Sequence, residues 1–182
     1  MSETALKIKI FGAEILRKKA KPVKTISDYH RDMLSQMARI MYASSGIGLA
    51  ASQVGLSEDM FVADAGSGLY KIINPRIIKK QGVQVNQEGC LSVPGISLKV
   101  KRARKIVLKA QDENSRPITI EAEDLLACVF QHEIDHLRGK MIVDYASLLN
   151  RLAINKKLDT LKKQYQDEKL PESNTESRRM QL

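Results

Sequence analysis

The sequence has little cysteine, few aromatic residues and no long apolar run. Of its 182 residues, 2 are Cys, none is Trp, and aromatic residues make up 4%. Two cysteines are too few for a secreted module held together by disulfides. The scarcity of aromatic rings disfavours nucleic-acid binding by base stacking. No segment approaches the roughly 18 uninterrupted apolar residues of a membrane span, so a membrane-spanning protein is not expected.

What is present is the composition of an ordinary globular protein with an excess of positive charge. Hydrophobic residues make up 43% and charged residues 28%, which is typical of a folded domain. Residues 1–20 alternate charged and apolar side chains and lack the apolar core of a secretory signal, so we expect a cytoplasmic protein. The net charge of +9 favours encounters with polyanions but does not decide the fold.

Three segments have the pattern of helices. Over 27–44, apolar side chains recur at helical spacing on one face. A second helix is predicted over 124–138, ended by Gly139, and a third over 147–169. Residues 171–182 begin with Pro and are polar, so we expect a disordered tail there.

The segment between the first two helices has the pattern of strands. A loop, SSGIGLAASQVG, follows the first helix, and short runs rich in Ile and Val then alternate with turn residues. Because turns separate these runs, the strands are expected to pair antiparallel. Helices segregated from a run of strands predict an α+β domain. The expected strands are MFVAD, YKIINP, IIKKQGVQV, ISLKV, KIVLKA and PITIEA.

The motif with the clearest chemistry is H-E-x-x-H at 132–136, inside the second predicted helix. His132 and His136 are four residues apart, so both imidazoles lie on one helix face and can reach one divalent metal. Glu133 lies beside the first histidine, where a carboxylate can accept a proton from the attacking water. The motif also occurs by chance on solvated helices, but two of the three histidines in this chain fall within it. It therefore favours a metallohydrolase.

A catalytic metal site of this kind needs a third protein ligand. Cys128 is four residues before His132, but positions 128 and 136 are about 12 Å apart along a helix axis. Metal–ligand bonds of about 2.0–2.3 Å cannot span that distance at one ion. His30, Cys90 and several carboxylates remain as candidates. By itself, Cys90 is as well explained as a buried free thiol.

The chain resembles the peptide deformylases. Three separated segments match the signatures of that family in order and spacing: GIGLAASQ at 46–53, EGCLS at 88–92 and QHEIDHL at 131–137. The resemblance implies a metal-dependent enzyme that hydrolyses the N-formyl group from the formyl-methionine at the start of newly made polypeptides, releasing formate. It also implies an α+β fold with antiparallel sheets around the H-E-x-x-H helix and a further C-terminal helix, in one catalytic domain over 1–170.

The resemblance also implies roles for individual residues. Cys90, His132 and His136 would bind one divalent metal per chain, which in this family is usually Fe²⁺, although Zn²⁺, Ni²⁺ or Co²⁺ can take its place. The matching oxyanion donors are the side-chain amide of Gln53 and the backbone N–H of Leu91, and Glu133 would be the proton acceptor. The matching substrate-binding positions are Ile47, Gly48 and Gly89.

The pocket for the methionine side chain is less well defined by the sequence. Leu125 and Val129 lie seven and three positions before His132, on its helix face, where they would either floor an apolar pocket or simply belong to the core. Cys128 is expected nearby as a small apolar residue. Asn86 stands near the pocket entrance, where similar proteins often carry an apolar residue, so the sequence leaves the shape of that entrance undecided.

Two groups of basic residues are candidates for a partner surface: KVKRARKIVLK at 99–109, and Lys156, Lys157, Lys162 and Lys163 of the third helix. Such runs are commonly solvated faces. The functional alternative is docking of the basic C-terminal helix on ribosomal RNA near the exit of the nascent chain. We expect a monomer that contacts formylated nascent polypeptides and no membrane.

Two other functions are compatible with parts of the sequence. A broader metallopeptidase would share the metal and Glu133, but would use a carboxylate or histidine as the third ligand. A nucleic-acid-binding module with a structural metal would need a fourth protein ligand to close the site. The latter alternative predicts that replacing Glu133 has no effect.

Overall fold

The computed structural model describes residues 6–169. Over that range, the helices are α1 (Asp28–Ala43), α2 (Asp124–Leu137) and α3 (Leu148–Lys169). The strands are β1 (Gly48–Ala50), β2 (Met60–Ala63), β3 (Tyr70–Gln81), β4 (Gln84–Gly89), β5 (Ser97–Arg102), β6 (Lys105–Gln111) and β7 (Pro117–Glu123). Short 3₁₀ helices lie at Glu14–Arg17, Ala51–Val54 and Ile142–Tyr145. The predicted α+β class and antiparallel pairing are confirmed; the predicted tail at 171–182 lies outside the described residues.

Two antiparallel sheets are built from these strands. The larger has the order β1-β2-β3-β6-β7, and the smaller is the hairpin of β4 and β5. Strand β2 is buried on both sides. On one side Phe61 and Ala63 pack toward α2, and on the other Met60 and Val62 pack toward α1. A strand covered on both faces is apolar at every position, which is why apolar and polar residues do not alternate in MFVA.

The third apolar cluster joins the small sheet to the C-terminal helix. Leu98 and Val100 of β5 pack in the same cluster as Leu158 and Leu161 of α3. All four side chains are buried. The last helix is therefore part of the core, not an appendage. No helix within 6–169 is long and apolar enough to cross a membrane.

Three of the predicted element boundaries were wrong. The runs YKIINP and IIKK form one strand, β3, because the chain bulges at Asn74 and Pro75 without leaving the sheet. Asn74 has a positive φ of 54° and its side chain bonds both the N–H and the C=O of Val23, which holds the bulge. Gly82, at φ +64°, divides IIKKQGVQV into the end of β3 and the start of β4. The loop predicted after α1 contains β1 and a 3₁₀ helix.

Helix α2 is placed at the centre by contacts on several sides. It touches β1, β2, β6 and β7 of the large sheet. Gly139 follows its C-cap at φ +72°, as the sequence predicted. A Cβ on Gly139 would lie 2.5 Å from the carbonyl oxygen of Arg17, so only glycine allows the chain to leave α2 this closely packed. This arrangement turns one face of α2 toward the hairpin of β4 and β5.

Candidate metal and catalytic site

Three candidate ligand atoms converge where β4 ends against α2. The Nε2 atoms of His132 and His136 are 3.2 Å apart, and the Sγ of Cys90 is 3.2 Å from Nε2 of His136. The ligand atoms of this trio all lie within 4.8 Å of one another. Ligands bound at about 2.0–2.3 Å to a tetrahedral ion are separated by roughly 3.3–3.6 Å. The trio therefore has the spacing of one metal site.

The chemistry of these donors also fits a metal. Two imidazole nitrogens and a thiolate suit several divalent transition metals. In addition, His132 directs its Nδ1 to the carboxylate of Glu88 at 2.9 Å, which leaves its Nε2 pointing at the other two donors. A hydrogen bond at one ring nitrogen commonly fixes the tautomer that presents the other nitrogen to a metal. Sequence spacing predicted the two histidines, the family resemblance implied Cys90, and the fold brings Cys90 to the histidines.

Glu133 lies on α2 beside this trio and is nearly inaccessible, with 3% of its surface exposed. Burial raises the pKa of its carboxyl group to about 7. Its Oε2 is buried and has no hydrogen-bond partner among the described residues. A carboxylate with a free oxygen and a pKa near neutrality can both accept and return a proton.

Gly48 of β1 is packed directly against this carboxylate. A Cβ at position 48 would lie 2.2 Å from Oε1 of Glu133 and 3.0 Å from Cγ1 of Val129. Real Cβ contacts are not that short, so any side chain here would displace the glutamate. Gly48 of the GIGLAASQ motif therefore leaves room for the Glu133 carboxylate in its present position.

Gln53 and Leu91 lie close to the trio from the other side. The side chain of Gln53 is buried, and its Oε1 accepts a hydrogen bond from the N–H of Ala50 at 2.8 Å. That bond orients the amide so that Nε2 faces Ser92 Oγ at 3.2 Å and Cys90 Sγ at 3.6 Å. Leu91 follows Cys90 directly and lines the same cavity. Gln53 and Leu91 therefore both border the cavity beside Cys90.

The predicted site residues share one open cavity of about 370 Å³. His136 is the exception, since it is buried behind the cavity wall with 1% exposure. Leu125 is 52% exposed, so it forms part of the rim and is neither on the floor of the pocket nor in the core, the two positions that the sequence left open. The predicted residues that line the cavity are Ile47, Gly48, Gln53, Gly89, Cys90, Leu91, Leu125, Val129, His132 and Glu133.

A buried network behind His132 was missed by the sequence analysis. Arg102 was counted in the basic run at 99–109, but it is 6% exposed. Its guanidinium donates two hydrogen bonds of 2.8 Å to Glu88 and a third to Asp135. Asp135 also accepts a bond of 2.8 Å from the hydroxyl of Tyr145. These contacts hold the carboxylate that orients His132.

The electrostatics of Glu88 follow from this network. Burial by itself would raise the pKa of the Glu88 carboxyl, but the hydrogen bonds from Arg102 and His132 outweigh it and lower the pKa to about 2. Glu88 is therefore ionised at neutral pH. The sequence pattern that could have revealed the burial of Arg102 is the alternation of side chains along β5, since Leu98, Val100 and Arg102 share its buried face. Lys99 and Lys101 lie on the exposed face, as expected for a solvated run.

The fold and the site define a metal-dependent hydrolase of the H-E-x-x-H type. The sequence matches the profile of the polypeptide deformylase family over residues 5–152. The chain belongs to the peptide deformylase family. The family predicted from the three motifs is confirmed, and so is the metal-dependent removal of the N-formyl group from newly made polypeptides.

Individual relatives agree over most of their length. A peptide deformylase of Thermoanaerobacter pseudethanolicus is 46% identical over 139 residues, which cover 76% of this chain and 87% of that protein. One from Carboxydothermus hydrogenoformans is 46% identical over 145 residues, covering 80% of this chain and 95% of that protein. The crystal structure of a peptide deformylase from Legionella pneumophila superposes with a TM-score of 0.82 at 40% identity, covering 92% of this chain and all of that one.

Proposed function

We propose that the N-formyl group of nascent polypeptides is removed in the cavity at β4 and α2. The observation that carries the proposal is the convergence of one sulfur and two imidazole nitrogens beside a buried carboxylate with a free oxygen. We assign Cys90, His132 and His136 as ligands of one divalent ion. Fe²⁺ is the proposed native metal, and Zn²⁺, Ni²⁺ or Co²⁺ would fit the same donors. A metal bound there supplies Lewis-acid activation of the water and of the formyl oxygen.

Glu133 is the proposed proton carrier. With its pKa near 7, the carboxylate accepts a proton from the attacking water and then returns it to the departing amine. Because no described residue bonds its Oε2, that oxygen is available to the water. A bound substrate would further exclude solvent from the cavity, which strengthens these interactions.

The negative charge that develops on the formyl oxygen needs donors that are already in place. Nε2 of Gln53 and the backbone N–H of Leu91 are assigned to that role. Each such donor is typically worth about 3–4 kcal/mol of transition-state stabilisation. The bond between Oε1 of Gln53 and the N–H of Ala50 supports the assignment, because it fixes the direction of the amide before substrate arrives.

The substrate backbone is assigned to the groove between β1 and β4. Gly48 and Gly89 lack side chains on its two walls, so an extended peptide can approach and pair like an added strand. Ile47 is 46% exposed at the groove and can cover the peptide. Val129 lines the apolar part of the cavity, and Leu125 lies at its rim. The methionine side chain is assigned to this part.

Formate release tests the proposal directly. Anaerobically purified protein is assayed on formyl-Met-Ala and on Met-Ala-Met, and bound metal is quantified in the same sample. We expect formate from the first peptide and no cleavage of the second, with close to one metal per active chain. Cleavage of the unformylated peptide would favour the broader metallopeptidase.

A variant separates catalysis from metal binding. Glu133→Ala should lose nearly all turnover while retaining the metal, since Glu133 is not a proposed ligand. Glu121→Ala, on the exposed face of β7, is the matched control and should keep full activity. Full activity of Glu133→Ala would refute its role, as the structural-metal alternative predicts.

Docking on the ribosome through α3 is a separate proposal, supported by its basic side chains. Truncation after Asn150 would not test it, because Leu158 and Leu161 belong to the core. Lys156 and Lys163 are exposed, so Lys156→Glu with Lys163→Glu changes the surface and spares the packing. We expect this variant to pellet with ribosomes less than the wild type at low salt, and both to be released at high salt. Equal pelleting at low salt would refute the role of α3.

We also propose that the protein works as a monomer in the cytoplasm of a bacterium. The bacterial relatives and a substrate that emerges from ribosomes support this location. Light scattering during size-exclusion chromatography should give a mass near 20.4 kDa. A mass of twice that value would refute the monomer.

A further inference from the structure

Ser92 carries a buried hydroxyl that the proposed reaction does not use. The residue is 0% exposed and is not among those that line the cavity, so it does not touch a bound peptide. Buried hydroxyl groups of folded proteins are hydrogen-bonded. Here Nε2 of Gln53 donates to the Oγ of Ser92 at 3.2 Å. The hydroxyl therefore acts on the cavity only through a neighbour that borders it.

The side-chain amide of Gln53 is held at both of its polar atoms. Its Oε1 accepts a hydrogen bond from the N–H of Ala50 at 2.8 Å, and this bond selects the orientation, because a flipped amide would bring two donors together. Ser92 accepts one of the two hydrogens of Nε2. The other hydrogen is left for the side on which the Sγ of Cys90 lies, 3.6 Å from Nε2. Rotation of the amide would break at least one of these bonds.

The main chains of Gln53 and Ser92 are tied to one short segment. The N–H of Lys9 donates to the carbonyl oxygen of Gln53 at 2.7 Å, and the N–H of Phe11 donates to the carbonyl oxygen of Ser92 at 2.8 Å. These two bonds hold the two backbones at a fixed separation. The hydroxyl therefore reaches the amide from a supported position, as a preorganised site requires.

The burial of Gln53 makes its orientation important. It borders the cavity with only 1% of its surface exposed, so its amide can meet a reacting oxygen from one direction only. We propose that Ser92 is a positioning residue whose hydroxyl holds the Gln53 amide with its second N–H directed at the formyl oxygen. This inference rests on the proposed function, in which Gln53 stabilises the developing charge. Without the hydroxyl, Nε2 loses a buried acceptor and turns its hydrogens toward Cys90.

The first measurement is the rate of formate release from formyl-Met-Ala by Ser92→Ala, expressed per bound metal. Misplacement of a group by about 1 Å costs up to about 100-fold in rate, so we expect kcat to fall by about 10- to 100-fold. KM should stay unchanged, because the bond to the charged oxygen is made in the transition state and not in the ground state. The metal content should also stay unchanged, since Ser92 is not a proposed ligand.

A double-mutant cycle separates positioning from a general structural role. Gln53→Ala should lower kcat by about 100- to 1,000-fold, the usual effect of removing one oxyanion donor. If Ser92 acts only through Gln53, adding Ser92→Ala to Gln53→Ala lowers kcat no further. A residue that merely supports the fold would instead give losses that multiply.

Nuclear magnetic resonance of the zinc-loaded protein observes the bond without turnover. The side-chain amide signals of Gln53, identified by their absence from Gln53→Ala, should shift in Ser92→Ala. The control is Ser67→Ala, which removes an exposed hydroxyl bonded to that of Tyr70 and should change neither these signals nor kcat. If Ser92→Ala does not fold, the wild type still tests the bond, since rapid exchange of both Gln53 amide hydrogens with water would overturn the inference.

The other outcomes distinguish this inference from the proposed function. Normal kcat in Ser92→Ala, or losses that multiply in the double variant, would overturn the inference alone. Full activity of Gln53→Ala would overturn both the inference and the assignment of Gln53 as a donor. If the wild type releases no formate, the proposed function itself is wrong.

Discussion

The buried guanidinium of Arg102 gives the sharpest test of how this site is held together. The perturbation is Arg102→Met, which keeps an unbranched, flexible side chain, two atoms shorter, and removes its charge. Two carboxylates, Glu88 and Asp135, would then lose their cationic partner. Glu88 has a side-chain exposure of 6% and Asp135 of 19%, so solvent cannot replace the lost contacts.

The expected magnitude follows from burial. Removing one partner of a buried ion pair costs about 3–5 kcal/mol. Glu88 keeps His132 and Cys128 as partners, and Asp135 keeps Tyr145. We therefore expect a loss of free energy of unfolding near the lower end, about 3 kcal/mol. For a domain with a total stability of about 5–15 kcal/mol, that is a large fraction.

The matched control is Arg104→Met, two residues further along the chain. Arg104 forms one ion pair, with Asp124, in which both side chains are 61% exposed. Exposed pairs are worth about 0–1 kcal/mol. Urea unfolding of both metal-free variants, followed by circular dichroism, gives the two losses on one scale.

A second measurement connects the network to the metal. Without Arg102 the Glu88 carboxylate is less firmly held, and His132 is less firmly oriented by it. Loss of such an outer contact typically lowers metal affinity by about 10–100-fold, which competition with a chelator measures. If Arg102→Met unfolds within 1 kcal/mol of Arg104→Met and binds metal equally well, the network is neither stabilising nor orienting, and the reasoning from burial is wrong.

Three further predictions concern other parts of the structure. Gly48→Ala should lower kcat by about 100-fold or more with little change in the metal content, because the new Cβ displaces Glu133; normal turnover in a steady-state assay would contradict the packing argument. In native protein at pH 8, Cys128 should resist iodoacetamide, since burial and the Glu88 carboxylate raise the pKa of its thiol to about 12; mass spectrometry showing rapid labelling would contradict it. The hydrogen bond from Tyr42 lowers the pKa of Asp64. The ionised Asp64 carboxylate therefore stabilises the fold at pH values above its ordinary pKa, and this stabilisation is lost as the pH falls through the lowered pKa. Tyr42→Phe should raise the Asp64 pKa in a carbon NMR titration, and an unchanged titration would refute that bond.

Local sequence patterns predicted the elements that depend on near neighbours. The helix over 27–44 became α1 at Asp28–Ala43, and the third helix became α3 at Leu148–Lys169. In α1, Ser27 and His30 form a capping box, in which the N–H of Ser27 donates to Nδ1 of His30 at 3.2 Å. Such contacts span three or four residues, so spacing alone is informative.

The sequence predicted that these segments form strands, but it did not predict where the strands begin and end. The expected strand YKIINP stopped at Pro75, a residue that cannot donate to the ladder. The bond pair between Asn74 and Val23, however, holds a bulge that lets β3 continue. The partner, Val23, lies far away in sequence, so no local pattern could reveal it.

The sequence by itself determined that His132 and His136 share a helix face with Glu133 beside them, because helical geometry fixes the relation of residues one to four apart. The family resemblance implied Cys90 as the third ligand, and the tertiary structure decided that it meets the two histidines, across 46 positions from His136. It also decided that Arg102 is a buried partner of Glu88 and not a surface charge. The physical reason is that the partner of a polar side chain depends on which segments pack together, and that packing is set by the apolar contacts of the whole chain.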